Sequence, residues 1–476
     1  MHPVSIVWFR RDLRLDDHVA LRRAADASAK LVCAFVLDPE QLRGPRVGAP
    51  IVQAFFTALA ALRAELRELG SDLALLEGDA AAELAALAER TGARALYYNI
   101  DYEPAALARD AEVTKRLREA HVEVHDAVDH VYYGAGDVVQ ESGKPYAVYT
   151  PYRKRWTARL AHDERHPVAS RAAAVTKFLG RDASLRSREV PQPEEYGHAS
   201  SLLYPTVTSA EAHRLLDEFV ACGLTAYADR RNVPALDATS RLSPHLRAGT
   251  IGIRTVVAAA LERRRISRAQ HAVAGIDAWL GELIWRDFYG QLLAHRPQVA
   301  QLPFIEAAET IPYRDDPDGY RAWCEGRTGY PIVDAAMRQL RETGWMHNRL
   351  RMIVASFLTK HLLIDYHEGE RWFEQRLADA DLAANNGGWQ WAASTGTDAA
   401  PYFRVFNPTL QGKTYDPDGT FVRRWVPELQ GVPAEVVHEP GLLRPPAYPP
   451  PIVEHAAARQ RAIDVYGGVL RAKGDA

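Results

Sequence analysis

Five short apolar runs, at 4–10, 30–37, 73–77, 95–100 and 122–128, alternate with helical patterns at 17–27, 50–69, 80–90 and 104–120. Strands that return to one sheet through helices pair in parallel, and such a sheet is covered on both faces. The N-terminal part of the chain is thereby restricted to a doubly wound, five-stranded parallel α/β domain. A ligand of that sheet belongs beyond the carboxyl ends of its strands. The first strand runs into Arg10-Arg11-Asp12-Leu13-Arg14 with no glycine-rich phosphate loop, which argues against an ordinary dinucleotide site there. These arginines are read as surface or interdomain ion pairs.

The remainder has another character. At 476 residues the chain is long enough for two or three domains. From about 132 to 204 tyrosine, proline and charge mix without a long period (KPYAVYTPYRKRW, SREVPQPEEYGHASS), as in a connection crossing a surface. Beyond it the apolar patterns are helical, at 209–221, 253–264, 276–294, 332–341 and 348–363. The expected division is 1–131 (α/β), 132–204 (linker) and 205–476 (all-α). A formal net charge of −3 restricts any nucleic-acid surface to a local patch. Cys33, Cys222 and Cys324 form no metal motif or disulfide framework and fit a reducing compartment. No apolar run reaches the roughly 18 residues of a membrane span. The expectation is a cytoplasmic, monomeric protein with no metal and no membrane.

From Asp381 to Pro408 the chain reads DLAANNGGWQWAASTGTDAAPYFRVFNP. Leu382, Ala383 and Ala384 favour a helix. Asn385-Asn386-Gly387-Gly388 predicts a bend or an end, since glycine costs about 1 kcal/mol against alanine inside a helix. Bare backbone also admits a flat ligand. Trp389 and Trp391, two apart on a helix, point in nearly opposite directions. Either tryptophan alone reads as core. The whole string, with its asparagines, glycines, Ser and Thr, makes a poor core and a good ligand wall.

Three further groups carry chemistry. Tyr227 precedes Thr239-Ser240-Arg241-Leu242-Ser243 and a helical run. Hydroxyls at a helix start cap backbone N–H groups, and such a terminus attracts phosphate; alone, the group reads as a plain cap. In AWLGELIWRDFYG, Trp279, Glu282 and Trp285 fall along one helix face. A carboxylate between two tryptophans suits a pocket better than a core. In GWMHNRLRM, Asn348 and Met352 share a face while Arg351 turns away. By themselves Arg349 and Arg351 read equally well as a solvated basic face.

Together these strings resemble the DNA photolyase/cryptochrome family, and most nearly its class I cyclobutane pyrimidine dimer photolyases. The resemblance runs from IVWFRRDLRLDDH to YPPPIVEHAAARQRAIDVY. It implies a folded FAD with Tyr227, Thr239, Ser240, Arg241, Leu242 and Ser243 at the diphosphate and Trp279 also in contact. It implies Arg351 paired with Asp379, Asp379-Ala380-Asp381 along the flavin ring, and Asn385 at the ring nitrogen N5. It makes Glu282, Trp285, Asn348, Met352 and Trp391 the pocket for an extruded lesion. Arg231, Arg286, Arg349, Arg404 and Gln411 then hold UV-damaged DNA. Repair enzymes for (6-4) photoproducts carry histidines where Asn348 and Met352 stand, and the DASH branch tends to have glutamine at the Met352 position. The residues present favour cyclobutane dimers.

The implied activity is that of a carbon–carbon lyase. Blue light excites reduced, anionic FAD, which donates an electron to the dimer and recovers it after the ring opens. Trp389 becomes the flavin-proximal step of the chain that photoreduces FAD. Relatives continue it through two more tryptophans; here Tyr366 and Tyr313 stand in those places, so the relay is slower or diverts through Trp323 or Trp372. In the family the α/β domain holds an antenna pigment, a deazaflavin or methenyltetrahydrofolate; Ala105-Ala106 stand where folate binders have Asn-Glu, which leaves a deazaflavin, another pigment or an empty pocket. The alternatives are a cryptochrome-type photoreceptor, a (6-4) photolyase, or a redox flavoprotein with a nicotinamide site.

Overall fold

A computed structural model describes residues 1–182 and 185–470. Five strands, β1 (His2–Trp8), β2 (Ser28–Leu37), β3 (Leu73–Glu77), β4 (Ala95–Asn99) and β5 (Glu123–Ala127), form one parallel sheet in the order β3-β2-β1-β4-β5. Ile6, Val32, Leu75 and Leu96 are fully buried within it. Helices Val19–Ala27, Ala49–Glu68, Ala80–Thr91 and Pro104–Glu119 make the crossovers, within two residues of the expected bounds. Local chemistry fixes their ends. Asp79 accepts from Ala82 N at the start of Ala80–Thr91, and Gly92, at φ 68°, takes the left-handed turn that ends it. Ala49–Glu68 is the one described helix long and apolar enough to cross a membrane, and its Phe56, Leu59, Leu62 and Leu66 are buried in the fold.

The arginines after β1 are not on the surface. Arg10, Arg11 and Arg14 are each at most 8 % exposed. Arg10 pairs with Asp110, Arg11 with Asp101 (3.2 Å) and Arg14 with Asp129 (2.6 Å). Arg14 also donates to the carbonyl of Gly249 (3.0 Å), and Arg254 pairs with both Asp17 and Asp129. Buried charge survives only when paired and hydrogen-bonded. This network ties the end of β1 to residues 249–254.

Contacts divide the chain into two compact units. The first holds Met1–Ala228 and Ser240–Pro297; the second holds Asp229–Thr239 and the described residues from Gln298 on. Segments 205–228 and 240–297, which composition placed in the helical domain, group with the sheet.

The stretch from 132 to 204 is no mere surface crossing. It contains the helix Tyr149–Leu160, and Tyr132, Tyr133, Tyr152 and Trp156 are buried in a core with Ile276, Ile284 and Phe288 of the long helix Gln270–His295. Its alternating tyrosines lacked a helical period but had enough apolar surface to pack. Asp287 anchors them, accepting from Tyr132 N (2.9 Å), Tyr133 N (3.0 Å) and Trp156 Nε1 (2.9 Å). Desolvation outweighs those bonds and pushes its carboxyl up to about 6. In the second unit a core around Trp323, Met337, Leu350, Phe357, Phe373 and Trp389 joins Pro317–Glu325, Pro331–Thr343, Asn348–Ser356, Tyr366–Arg376 and Leu382–Ala393.

Candidate functional site

In the first unit, the Gln270–His295 helix carries Trp279, Glu282, Trp285 and Arg286. Trp279 is buried against Phe219 (5.0 Å between ring centroids), which also meets Tyr227 edge-on at 5.8 Å. Glu282 and Trp285 are half-buried. Trp285 lies flat on Tyr149, centroids 3.6 Å apart and planes 5° from parallel. The Tyr149 hydroxyl donates to the carbonyl of Gly281 on the same helix (2.7 Å). One face of the Trp285 indole is thus fixed by a ring that is itself pinned. Tyr149 is a site-forming residue that the sequence reading missed; its only signal was the tyrosine-rich string around it. Arg286 donates to the carbonyls of His130 (3.0 Å) and Leu246 (3.1 Å), so it braces backbone instead of standing free for a strand.

The Thr239–Ser243 stretch corrects the capping expectation. Ser243–Ala248 is a helix of 6 residues whose N-cap position is Leu242, with no side-chain cap bond; Ser243 is its first helical residue. Arg241 takes φ 52°, and that left-handed turn brings Leu242, buried at 2 %, to the cap position instead of a hydroxyl. Thr239 and Ser240 are half-buried, and Thr239 groups with the second unit.

His245 on that short helix is 1 % exposed, its Nδ1 3.0 Å from Thr250 Oγ1. Burial pulls its pKa from 6.5 down to about 4, with Glu211 pulling weakly the other way. Between those values the unfolded chain takes a proton that the folded chain refuses. The associated stability is whole above pH 6.5 and is lost as pH falls toward 4, about 3 kcal/mol at most. Asp287, raised to about 6, opposes this by favouring the fold as pH falls from 6 toward its ordinary 3.8. His245→Gln should therefore gain about 3 kcal/mol relative to the parent between pH 7 and pH 4. Urea midpoints at the two pH values check this; parallel shifts in both proteins would refute it.

In the second unit, helix Leu382–Ala393 runs unbroken through Gly387 and Gly388, against the expected bend. Asp381 caps it by accepting from Ala384 N (3.2 Å), and Ser394 ends it at φ 62°. Two amides hold it across the glycines. Asn386 donates to Glu370 Oε1 (3.0 Å) and accepts from Gln390 (3.1 Å), which also donates to the carbonyls of Val299 and Leu302. Tertiary bonds outweigh the glycine penalty. Trp389 is buried in the core and Trp391 half-buried, as their spacing requires.

Arg351 donates to Asp379 Oδ2 (2.7 Å) and to the carbonyl of Met346 (2.9 Å). Asp379 is 8 % exposed, and its other oxygen is buried with no hydrogen-bond partner among the described residues. Such an acceptor calls for a donor from elsewhere. Asn385 gives its NH₂ to the carbonyl of Glu370 (3.0 Å), which leaves Oδ1 as its second pole. Ala380 and Asp381 follow Asp379, both half-buried. An orphaned carboxylate oxygen and an oriented amide on neighbouring segments fit the polar edge of a flavin ring.

Asn348, the first residue of Asn348–Ser356, is exposed; Met352, one turn on, is half-buried. Arg349 donates to Asn232 Oδ1 (2.9 and 3.2 Å) and lies 4.5 Å over the Tyr415 ring. Burial lowers its pKa, and the positive charges of Arg231 and Arg404 lower it further, so the three arginines make one basic patch. Gln411 is half-buried on the helix Pro408–Tyr415. Tyr366 is buried and stacked on His367 (4.0 Å); Tyr313 packs with Ile311, Leu363 and Tyr466. One further cluster, His2, Glu123 and His125, has ligand-type atoms within 4.8 Å of one another on β1 and β5, too far apart in sequence to be seen there.

The model of the FAD binding domain of DNA photolyase matches residues 279–468, and that of DNA photolyase matches residues 5–171. A deoxyribodipyrimidine photo-lyase of Halobacterium salinarum is 42 % identical, covering 99 % of this chain and 100 % of its own. The structure of a bacterial class III photolyase from Agrobacterium tumefaciens superposes with a TM-score of 0.89 at 36 % identity, over 99 % of this chain and 98 % of that one. An archaeal photolyase from Sulfolobus tokodaii, described with two FAD molecules and a suggested novel light-harvesting cofactor, gives 0.84 at 32 % identity, over 98 % of this chain and all of that one. The chain belongs to the DNA photolyase/cryptochrome family. Within it, its curated likeness is to enzymes that act on deoxyribodipyrimidines.

Proposed function

We infer that this protein is a light-dependent DNA repair lyase that uses FAD to split cyclobutane pyrimidine dimers in UV-damaged DNA. The observation that carries this is the full-length likeness to deoxyribodipyrimidine photo-lyase, with the FAD-binding model covering 279–468. Bound FAD, reduced and anionic, supplies the light absorption and the electron that the dimer takes up and returns. The protein supplies position and electrostatics, as cofactor enzymes generally do.

Arg351 and Asp379 would fix the polar edge of the cofactor, and Asn385 would present Oδ1 to it. An amide carbonyl accepts from a protonated ring nitrogen, and unlike a carboxylate it tolerates the unprotonated state. Tyr227, Trp279, Ser240 and Ser243 are carried as FAD contacts by the family resemblance alone. Extruding a damaged base pair costs a few kcal/mol, less than for an intact one. Stacking on an indole contributes about 1–3 kcal/mol per base, which offsets it. In the first unit Trp285 is a stacking face and Glu282 a polar contact to a base edge; in the second unit Trp391 is a stacking face, Asn348 a polar contact and Met352 an apolar wall. The second unit's Arg231, Arg349 and Arg404 hold phosphates. An antenna pigment in the sheet domain is part of this reading, its identity open between deazaflavin, folate and a second flavin.

Two measurements test the reading. Under blue light the reduced enzyme should restore an oligonucleotide carrying a cyclobutane dimer and leave one carrying a (6-4) photoproduct unchanged; the reverse preference would overturn the substrate assignment. DNA affinity should fall steeply with salt as counterions are released, and Arg349→Ala should lower the log–log slope by about 1. An unchanged slope would remove Arg349 from the phosphate contacts.

A further inference from the structure

Of the two diversions offered by the sequence, Trp323 is the one that touches Trp389. Trp389 meets Trp323 edge-on with ring centroids 6.1 Å apart, and both indoles are buried. Gly369 makes room for this: a Cβ there would lie 2.1 Å from Trp389 Cη2. Trp323 in turn stacks on Tyr320, at 6.1 Å and 21°, on the same helix. Its Nε1 donates to the carbonyl of Val354 (3.0 Å), whose negative end steadies positive charge on the indole. Tyr320 is half-buried and lines a surface cavity of about 850 Å³. That cavity is walled by Arg321, Arg338, Arg341 and Arg376 against Glu325 and Glu342.

The other candidates are worse conductors. The Tyr366 hydroxyl is buried with no hydrogen-bond partner among the described residues, so an oxidised Tyr366 has nowhere to leave its proton. Trp372 carries the Arg376 guanidinium 4.5 Å over its ring, and a cation on the face opposes a positive hole. We propose that Trp389, Trp323 and Tyr320 form the electron-entry chain of this protein, ending at an arginine-lined cavity that takes a small anionic one-electron donor. This rests on the reading that Trp389 gives the first electron to light-excited FAD.

Trp389 loses one electron and becomes a radical cation. Trp323 refills it, and Tyr320, whose hydroxyl donates to the carbonyl of Glu368 (3.2 Å), refills Trp323 and gives up its phenolic proton to solvent at the cavity. The donor then returns one electron and one proton to the neutral Tyr320 radical, for example as a hydrogen atom from ascorbate monoanion. Net transfer is one electron from donor to cofactor and one proton from donor to solvent.

The test is flash-induced electron paramagnetic resonance on the FAD-loaded full chain. A tyrosyl radical signal is expected that disappears in Tyr320→Phe, falls at least tenfold in Trp323→Phe and persists in Tyr366→Phe. Tyr320 is half-buried, so its variant keeps the test valid if Trp323→Phe fails to fold. A signal that survives Tyr320→Phe and vanishes in Tyr366→Phe overturns the route. A signal that survives Trp389→Phe instead overturns the reading on which the route rests. Ascorbate should shorten the radical lifetime in the parent and not in Arg341→Glu; equal shortening in both would overturn the cavity assignment.

Discussion

Replacing Trp285 with alanine is expected to weaken binding of a dimer-containing oligonucleotide roughly 5- to 150-fold, the equivalent of about 1–3 kcal/mol of base stacking. Affinity for the same strand without the lesion should change little, because intact DNA keeps its bases stacked in the duplex. The prediction follows from how this indole is held. Its flat contact with Tyr149, at 3.6 Å and 5°, and the Tyr149 bond to Gly281 fix its orientation before any base arrives. A preoriented ring gives its stacking energy without an ordering penalty. Tyr149→Ala should therefore produce a smaller loss in the same direction, about 2- to 10-fold, from an aromatic pair of about 0.5–1.5 kcal/mol. Fluorescence anisotropy on damaged and undamaged strands separates the effects. Equal losses on both strands would mean that Trp285 serves general binding or folding instead of lesion recognition.

The second large effect is expected at Asp379. Asp379→Ala should purify with at least tenfold less flavin per protein than the parent, read from the ratio of visible to ultraviolet absorbance. Asp379 is buried, it pairs with Arg351 at 2.7 Å, and its second oxygen has no donor among the described residues. Removing the carboxylate leaves Arg351 without its partner; at 27 % side-chain exposure that guanidinium keeps part of its solvation, so the cost falls below the roughly 3–5 kcal/mol of a fully buried pair. Here the same substitution also removes the acceptor assigned to the cofactor. Asp379→Asn keeps the shape and one acceptor oxygen and should retain more flavin than the alanine variant. Full flavin content in Asp379→Ala would take this carboxylate out of the cofactor's surroundings.

Much of the fold could be read in advance because its signals were local. The five apolar runs became β1 to β5 with bounds shifted by at most two residues, since strand length and flanking turns are written in short windows. Helix Leu382–Ala393 was misjudged for the opposite reason. Gly387-Gly388 looks like a break until Glu370 and Gln390 are brought beside it, and those contacts come from residues far away or from side-chain direction. The arginines after β1 were read as surface or interdomain ion pairs; the pairing holds, but their burial was not legible because their partners, Asp101, Asp110, Asp129 and the Gly249 carbonyl, are scattered along the chain. At the candidate site the named residues were legible as types. The orienting groups were not: Tyr149 behind Trp285, Glu370 behind Asn385, and Asn232 beside Arg349. Periodicity marks which face a residue occupies, and only packing shows what stands behind it.

The most direct measurement follows thymine monomers by chromatography after the reduced, FAD-loaded protein is mixed with a thymine-dimer oligonucleotide. Under blue light the dimer should disappear with stoichiometric return of both thymines, repeatedly per enzyme molecule, and in the dark it should persist. Dimer loss at equal rates in light and dark, or no loss under illumination with flavin bound and reduced, would contradict the assignment of this chain as a light-driven repair enzyme.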